Sequence, residues 1–190
     1  RQMCIRDSMT TGEGGMITTN NGVLAEKMRK IRNHGQDSRY HHVTLGYNYR
    51  MTELQAAIGL VQLKRLPWVV ERKIELAHNY DTALTNVDGV KTPYVAPYAK
   101  HTYMLYALEV KNRDRVQQRL EEKGIETRIC FPPIHLQPLY RELFGYNGGE
   151  LPITEETAGK NLCIPIYPQM SNKEQNYVID HLKKSLSRHG

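Results

Sequence analysis

Residues 103–131 read YMLYALEVKNRDRVQQRLEEKGIETRICF. Tyr103 to Val110 is an apolar, aromatic run of strand character. From Asn112 to Lys123 the pattern changes: Val116 and Leu120 fall four apart on one helical face, charged residues fill the others, and Gly124 supplies the stop. Ile125 to Phe131 then returns to strand texture. Strand, helix, strand in immediate succession is the signature of an α/β chain.

Upstream of this unit, Val23, Leu24, Met28 and Ile31 have helical spacing that ends at Gly35. Met16 to Thr19 reads as a short β-branched strand and residues 36–50 as loop. Thr52-Glu53-Leu54-Gln55 is a capping box opening a helix with Leu54, Ala57, Ile58 and Val61 on one face. Pro67 is expected to break or kink it, and a second helix carries Val70, Ile74, Ala77, Tyr80 and Leu84. A change of texture near residues 70–90 marks the expected boundary. Downstream, a Pro-rich loop FPPIHLQP leads to a short helix near Leu139 to Phe144 and a turn at Gly148-Gly149. Ser171-Asn172-Lys173-Glu174 is a second capping box, opening a terminal helix with Val178, Leu182 and Leu186. Residues 1–8, RQMCIRDS, have no period, cap or turn logic and read as foreign or scar sequence.

The 190 residues accommodate one full domain, or one with a piece of another. A composition of 39% hydrophobic and 24% charged residues is that of a chain with a core to bury, not of a disordered one. No apolar run approaches the length of a membrane span. Cys4, Cys130 and Cys163 form no CxxC pair, so neither a disulfide framework nor a zinc knuckle is indicated, and a reducing cytoplasm fits. The balance of 26 basic to 20 acidic residues, a net charge of +6, suits a phosphate-bearing partner. The basic residues are dispersed along helical patterns, which argues against nucleic acid.

Four segments could carry chemistry. TTGEGG at 10–15 lacks the spacing of a phosphate-binding glycine loop and reads first as a tight turn. GYNYR at 46–50 places Asn48 and Arg50 on the same side of an extended segment just before a helix start. They could converge on a phosphate, or cap a turn and pair with a surface acid. GIETRICFPPIHLQPLY at 124–140 sets Arg128 at a strand end and His135 in a proline-pinned loop, a common address for substrate groups, although a lone histidine is more often structural. Tyr40, His41 and His42 form a polar, aromatic cluster. Adjacent histidines alternate sides of an extended chain, so metal binding is not expected.

The ordered set TTGEGG-MITTNN, RNHGQ, GYNYRMTELQAAIGLVQL, GIETR with PPIHLQPLY, and CIPIYPQMSNKEQ resembles the DegT/DnrJ/EryC1/StrS family of pyridoxal phosphate (PLP)-dependent sugar aminotransferases over residues 9 to about 186. GIETR with FPPIHLQP is similar to perosamine-synthase-like members acting on nucleotide-linked 4-keto-6-deoxysugars. The resemblance implies part of a fold type I transferase: residues 9–66 as the end of the large PLP-binding domain, and 67–190 as a connecting helix and the small C-terminal α/β domain. It further implies a cytoplasmic homodimer with a shared active site, acting in polysaccharide or antibiotic sugar biosynthesis. A nucleotide-diphosphate ketosugar and glutamate or glutamine are the implied reactants. Asn48 matches the family asparagine that reaches the PLP phosphate of the other subunit, with Arg50 beside it. His135 matches the histidine of the P-x-H-x-Q-P loop near the substrate. Arg128, Tyr40 and His41 are implied to serve the substrate as well.

In the family pattern a Schiff-base lysine stands five residues before the first glycine of GEGG, a position that falls on Asp7. A carboxylate cannot replace that amine. The expectation is therefore a truncated chain, inactive alone, whose parent is an aminotransferase. Two alternatives accompany it: a non-catalytic interaction or dimerisation module exposing Leu54, Ile58 and Val61, or a fragment of one of the family's sugar dehydratases, which carry histidine at the lysine position.

Overall fold

A computed structural model describes residues 8–187 of the chain. Position 7, where the Schiff-base lysine is expected, lies outside the described residues. Two compact units are found, one spanning Met9–Leu66 and the other built from Pro67 onward.

In the first unit, α1 (Gly22–Arg32) starts where the Asn21 side chain accepts from the Leu24 N–H at 3.0 Å, satisfying one of the orphan donors of a helix start. At its other end, the carbonyls of Ile31 and Arg32 are taken by the backbone N–H groups of Tyr47 (2.7 Å) and Tyr49 (2.9 Å). Between these points residues 36–50, expected as plain loop, form an antiparallel hairpin of β1 (Gln36–Ser38) and β2 (His41–His42). Arg39 and Tyr40 sit at its tip. Strands this short carry too little alternation to show in the sequence. The expected strand at Met16–Thr19 is absent: no described segment pairs with it, and Met16 and Ile17 are exposed. The capping box at Thr52 and Gln55 is formed in both directions, at 3.0 and 3.3 Å. It opens α2 (Glu53–Leu84), which continues through Pro67 without the break that was one of the two expected outcomes there. Losing one helical hydrogen bond costs roughly 3 kcal/mol, which the burial of the following turns offsets.

The second unit holds the core. From α2, Leu76, Ala77, Tyr80 and Leu84 are buried. The sheet has the order β3 (Val90–Lys91), β4 (Tyr106–Val110), β5 (Asn161–Ile164), antiparallel throughout. Along β4, Tyr106, Leu108 and Val110 point inward with period two. The strand begins three residues later than the sequence indicates, because Tyr103 adopts a positive φ of 48° that takes the chain out of the extended region. The expected strand at 125–131 shrinks to one bridge, Arg128 with Cys163, since Pro132 and Pro133 cannot donate to a ladder. Cys163 is thus paired on both sides, with Ala107 and with Arg128.

Helix α3 (Arg113–Glu121) packs on α6 (Asn172–Leu186), with Val116, Leu120, Val178 and Leu182 in one cluster. The Ser171–Glu174 capping box of α6 is complete. Two shorter helices, α4 (Pro138–Phe144) and α5 (Pro152–Lys160), flank the Gly148-Gly149 turn. Neither α5, whose apolar side chains Ile153 and Ala158 are five apart and share no helical face, nor β5, cut off by Pro165, has a periodic signal in the sequence. Among the described residues no helix is long and apolar enough to cross a membrane.

Candidate functional site

The predicted site residues fall into two groups, one in each unit. In the first, the hydrogen bonds from residues 47 and 49 to the end of α1 hold the chain extended, and alternation does the rest. Tyr47 and Tyr49 stack on one side, ring centroids 4.9 Å apart and nearly parallel. Asn48 and Arg50 take the other. Arg50 donates from Nε to the Asn48 Oδ1 at 3.1 Å and from Nη1 to the Asn33 Oδ1 at 3.1 Å. The guanidinium is therefore held by two amide oxygens and not by a surface acid. With its oxygen committed to Arg50, the exposed Asn48 keeps its amide N–H groups as donors.

That arrangement rests on a close backbone crossing. A Cβ on Gly35 would lie 1.8 Å from the Thr44 carbonyl oxygen, and one on Gly46 1.8 Å from the Gly35 nitrogen. Tyr40 is exposed at a φ of 63°, with the Arg39 guanidinium over its ring at 5.0 Å. His41 Nδ1 lies 2.8 Å from Asp37 Oδ1. The histidine contact holds the Asp37 carboxyl below its usual range. His42 instead turns Nδ1 to the His34 carbonyl at 2.8 Å, so the adjacent histidines do not converge.

In the second unit, His135 sits in a short 3-10 turn, Ile134–Leu136, and is buried. Its Nε2 lies 2.9 Å from Glu155 Oε1. The Glu155 carboxylate also accepts from the backbone N–H groups of Gly149 (2.8 Å) and Leu151 (3.3 Å). The His135 contact first, and the Gly149 N–H next, hold the Glu155 carboxyl below the usual glutamate range. An ionised carboxylate only accepts, so Nε2 carries the donated proton. Glu155 was not legible as a partner, since twenty residues separate it from His135. Asn33 was equally hidden, although it belongs to the RNHGQ motif.

His135 lines a cavity of about 520 Å³ with Phe131, Pro133, Tyr140, Phe144 and Tyr146. Arg128 is not among the lining residues; its guanidinium contacts Glu126 at 3.1 Å. A larger concavity of about 1060 Å³ between Gly124–Glu126 and the start of α6 holds no predicted site residue. Glu174, on its wall, is already committed to the Ser171 cap.

The model of the DegT/DnrJ/EryC1/StrS aminotransferase family matches residues 6–183. The chain belongs to that family. It is 39% identical over 173 residues to the erythromycin biosynthesis sensory transduction protein EryC1 of Saccharopolyspora erythraea, covering 90% of this chain and 47% of that one. It is 36% identical over 186 residues to the GDP-perosamine synthase of Caulobacter vibrioides, covering 94% and 49%. Among solved structures, S. venezuelae DesV in complex with a ketimine intermediate superposes with a TM-score of 0.86 at 32% identity, covering 91% of this chain and 47% of that one. The fold is accordingly that of part of a fold type I sugar aminotransferase. The chain spans about half the length of the curated relatives it matches.

Proposed function

We propose that this chain is part of a PLP-dependent enzyme that moves an amino group from glutamate or glutamine to a keto group of a nucleotide-diphosphate sugar. The observation that carries the reading is the Arg50–Asn48 contact. A phosphate dianion only accepts hydrogen bonds, and here an exposed amide has its oxygen taken by a guanidinium, which leaves its N–H groups as donors and sets a cation beside them. The donor set thus fits the phosphate end of PLP, and in this reading it serves the cofactor of a second copy in a homodimer. His135, Arg128, Tyr40 and His41 serve the sugar nucleotide. Residues 9–66 belong to the large cofactor domain, and residues 67–190 form the connecting helix and small domain. When bound, PLP supplies the electron sink that lets a nitrogen-bearing carbon give up a proton. Asp7, at the expected lysine position, cannot anchor the cofactor covalently. The 190 residues alone are therefore expected to be inactive.

The test is a transfer assay on the product of the complete reading frame in the source DNA, with glutamate or glutamine and nucleotide ketosugars. We expect a lysine five residues before Gly12, aminated product, and at least a tenfold loss of kcat/KM in Asn48→Ala. A histidine at that position would instead favour the sugar dehydratases of the family. Absence of aminated product from all ketosugars tested overturns the reading.

One observation favours a second reading, an interaction module. Among described residues 9–66 only Gly35 is buried, and Leu54 (80%), Ile58 (48%) and Val61 (57%) leave an apolar helix face open.

A further inference from the structure

Asparagine followed by glycine occurs twice, at Asn21-Gly22 and at Asn147-Gly148. In such a step the glycine nitrogen can attack the asparagine side-chain carbon, because no Cβ on the glycine hinders the approach. The fold treats the two steps in opposite ways. Asn21 is the N-cap of α1: its side-chain oxygen accepts from the Leu24 N–H and its backbone carbonyl from the Ala25 N–H, both at 3.0 Å. Gly22 is the first residue of that helix. Ring closure there requires the side chain to leave the cap and the helix end to open.

Asn147 and Gly148 lie instead in the exposed turn between α4 and α5. The peptide that joins them is gripped at both ends. Its carbonyl accepts from the Arg141 Nη2 at 2.7 Å, and its N–H donates to the Glu150 Oε2 at 2.8 Å. The guanidinium draws electron density from the peptide and makes the N–H more acidic, while the carboxylate stands at the distance from which a general base takes a proton. The Asn147 N–H, at 2.8 Å from Oε1, is the chief contact that holds the Glu150 carboxyl below the usual glutamate range, so the group is ionised and able to accept. On the side chain of Asn147, Nδ2 donates to the Gly145 carbonyl at 2.9 Å.

From this geometry we infer that Asn147-Gly148 is a site of self-assisted deamidation, a modification that Arg141 and Glu150 promote and that releases His135. Glu150 takes the Gly148 proton as the nitrogen bonds to the Asn147 Cγ. The Cγ–Nδ2 bond then breaks, and the proton passes from Glu150 to the departing amide, which leaves as ammonia. Water opens the cyclic imide at either carbonyl, giving aspartate or isoaspartate at 147. Nothing in this chemistry depends on a cofactor or a sugar nucleotide.

Both products add a carboxylate beside Glu150, and isoaspartate also routes the main chain through an extra methylene. The N–H groups of residues 147 and 148 then no longer fit one carboxylate. The same turn carries Gly149 and Leu151, whose N–H groups hold Glu155 on His135, and Tyr146, whose ring meets His135 edge-on at 5.7 Å. Loosening at 147 therefore reaches His135 through both contacts.

The experiment is timed peptide mapping by mass spectrometry on the 190-residue chain at neutral pH, native and in urea. Isoaspartate is confirmed by methyl transfer from S-adenosylmethionine with an isoaspartyl methyltransferase. In urea the two steps should deamidate at one rate. In the native chain Asn147 should run at least tenfold ahead of Asn21, and faster than it does in urea. Glu150→Gln, which keeps an acceptor but cannot take the proton, and Arg141→Gln should each slow Asn147 at least fivefold. Both side chains are exposed, and circular dichroism checks that the fold is retained. Amide exchange at Gly149 and Leu151 should quicken in the aged chain, with α6 unchanged. A native Asn147 rate no higher than in urea, or one unchanged in both variants, overturns the self-assisted site. Unchanged exchange at Gly149 and Leu151 after deamidation overturns the release of His135.

Discussion

Arg50 spans two amides, with Nε on the Asn48 oxygen and Nη1 on the Asn33 oxygen, each at 3.1 Å. The forked, planar guanidinium is suited to this bridge and an ammonium is not. Arg50→Lys should therefore let the Asn48 amide rotate, raising Kd for PLP by about tenfold, or about 1.4 kcal/mol. Asn48→Asp should abolish binding by setting a carboxylate against the phosphate. Comparing PLP with pyridoxal in binding titrations checks both, since only the phosphorylated form should respond.

Gly35 and Gly46 hold the same segment in place by letting two backbones cross. Alanine at either position must move a carbonyl or a peptide nitrogen that lies 1.8 Å from the new carbon, and Gly35 also has a φ of 70°. Gly35→Ala should destabilise residues 33–50 by about 3 kcal/mol through overpacking and left-handed strain. Amide hydrogen exchange should show lost protection at Tyr47 and Tyr49, with α6 unchanged.

The Glu155 carboxyl is held below its ordinary value of 4.5 by His135 and by backbone N–H groups. Its folded value is the lower one, so its contribution is fully present above pH 4.5 and is lost as pH falls through the folded value. Near-ultraviolet circular dichroism of the Tyr140–Tyr146 ring cluster should therefore fade in that acid window. Glu155→Gln should remove that acid dependence and loosen His135 already at pH 7.

Ser171 and Glu174 satisfy each other's backbone N–H groups, with the Ser171 Oγ accepting from Glu174 at 3.2 Å and the Glu174 carboxylate accepting from Ser171 at 2.8 Å. Ser171→Ala should cost about 1 kcal/mol, seen as a lower Tm, and should raise the Glu174 pKa only part of the way toward its ordinary value, because the backbone N–H of residue 171, the strongest of the lowering contacts, and the Tyr167 hydrogen bond remain when the Ser171 hydroxyl is lost.

Leu54, Ile58 and Val61 form an open apolar face on α2. The purified chain is expected to self-associate through it. Leu54→Lys with Ile58→Lys should yield a monomer in sedimentation velocity while the Tm of the second unit stays unchanged.

Apart from the short β1–β2 hairpin, much of what depends on neighbours a few residues apart was decided by the sequence alone. Both capping boxes, the inward face of α3 and α6, and the shared side of Asn48 and Arg50 follow from helical and extended periodicities, which are local geometry. The family follows too, from short motifs in a fixed order. Tertiary structure decided whatever requires distant partners. β5 became a strand because Ala107 and Arg128 flank Cys163, and Met16–Thr19 did not because no described segment pairs with it. α2 runs through Pro67 because core packing of Leu76 and Tyr80 outweighs one lost hydrogen bond. Arg50 found Asn33 seventeen residues back, and His135 found Glu155 twenty residues ahead. No periodicity encodes such pairings, since they exist only after the chain has folded back on itself.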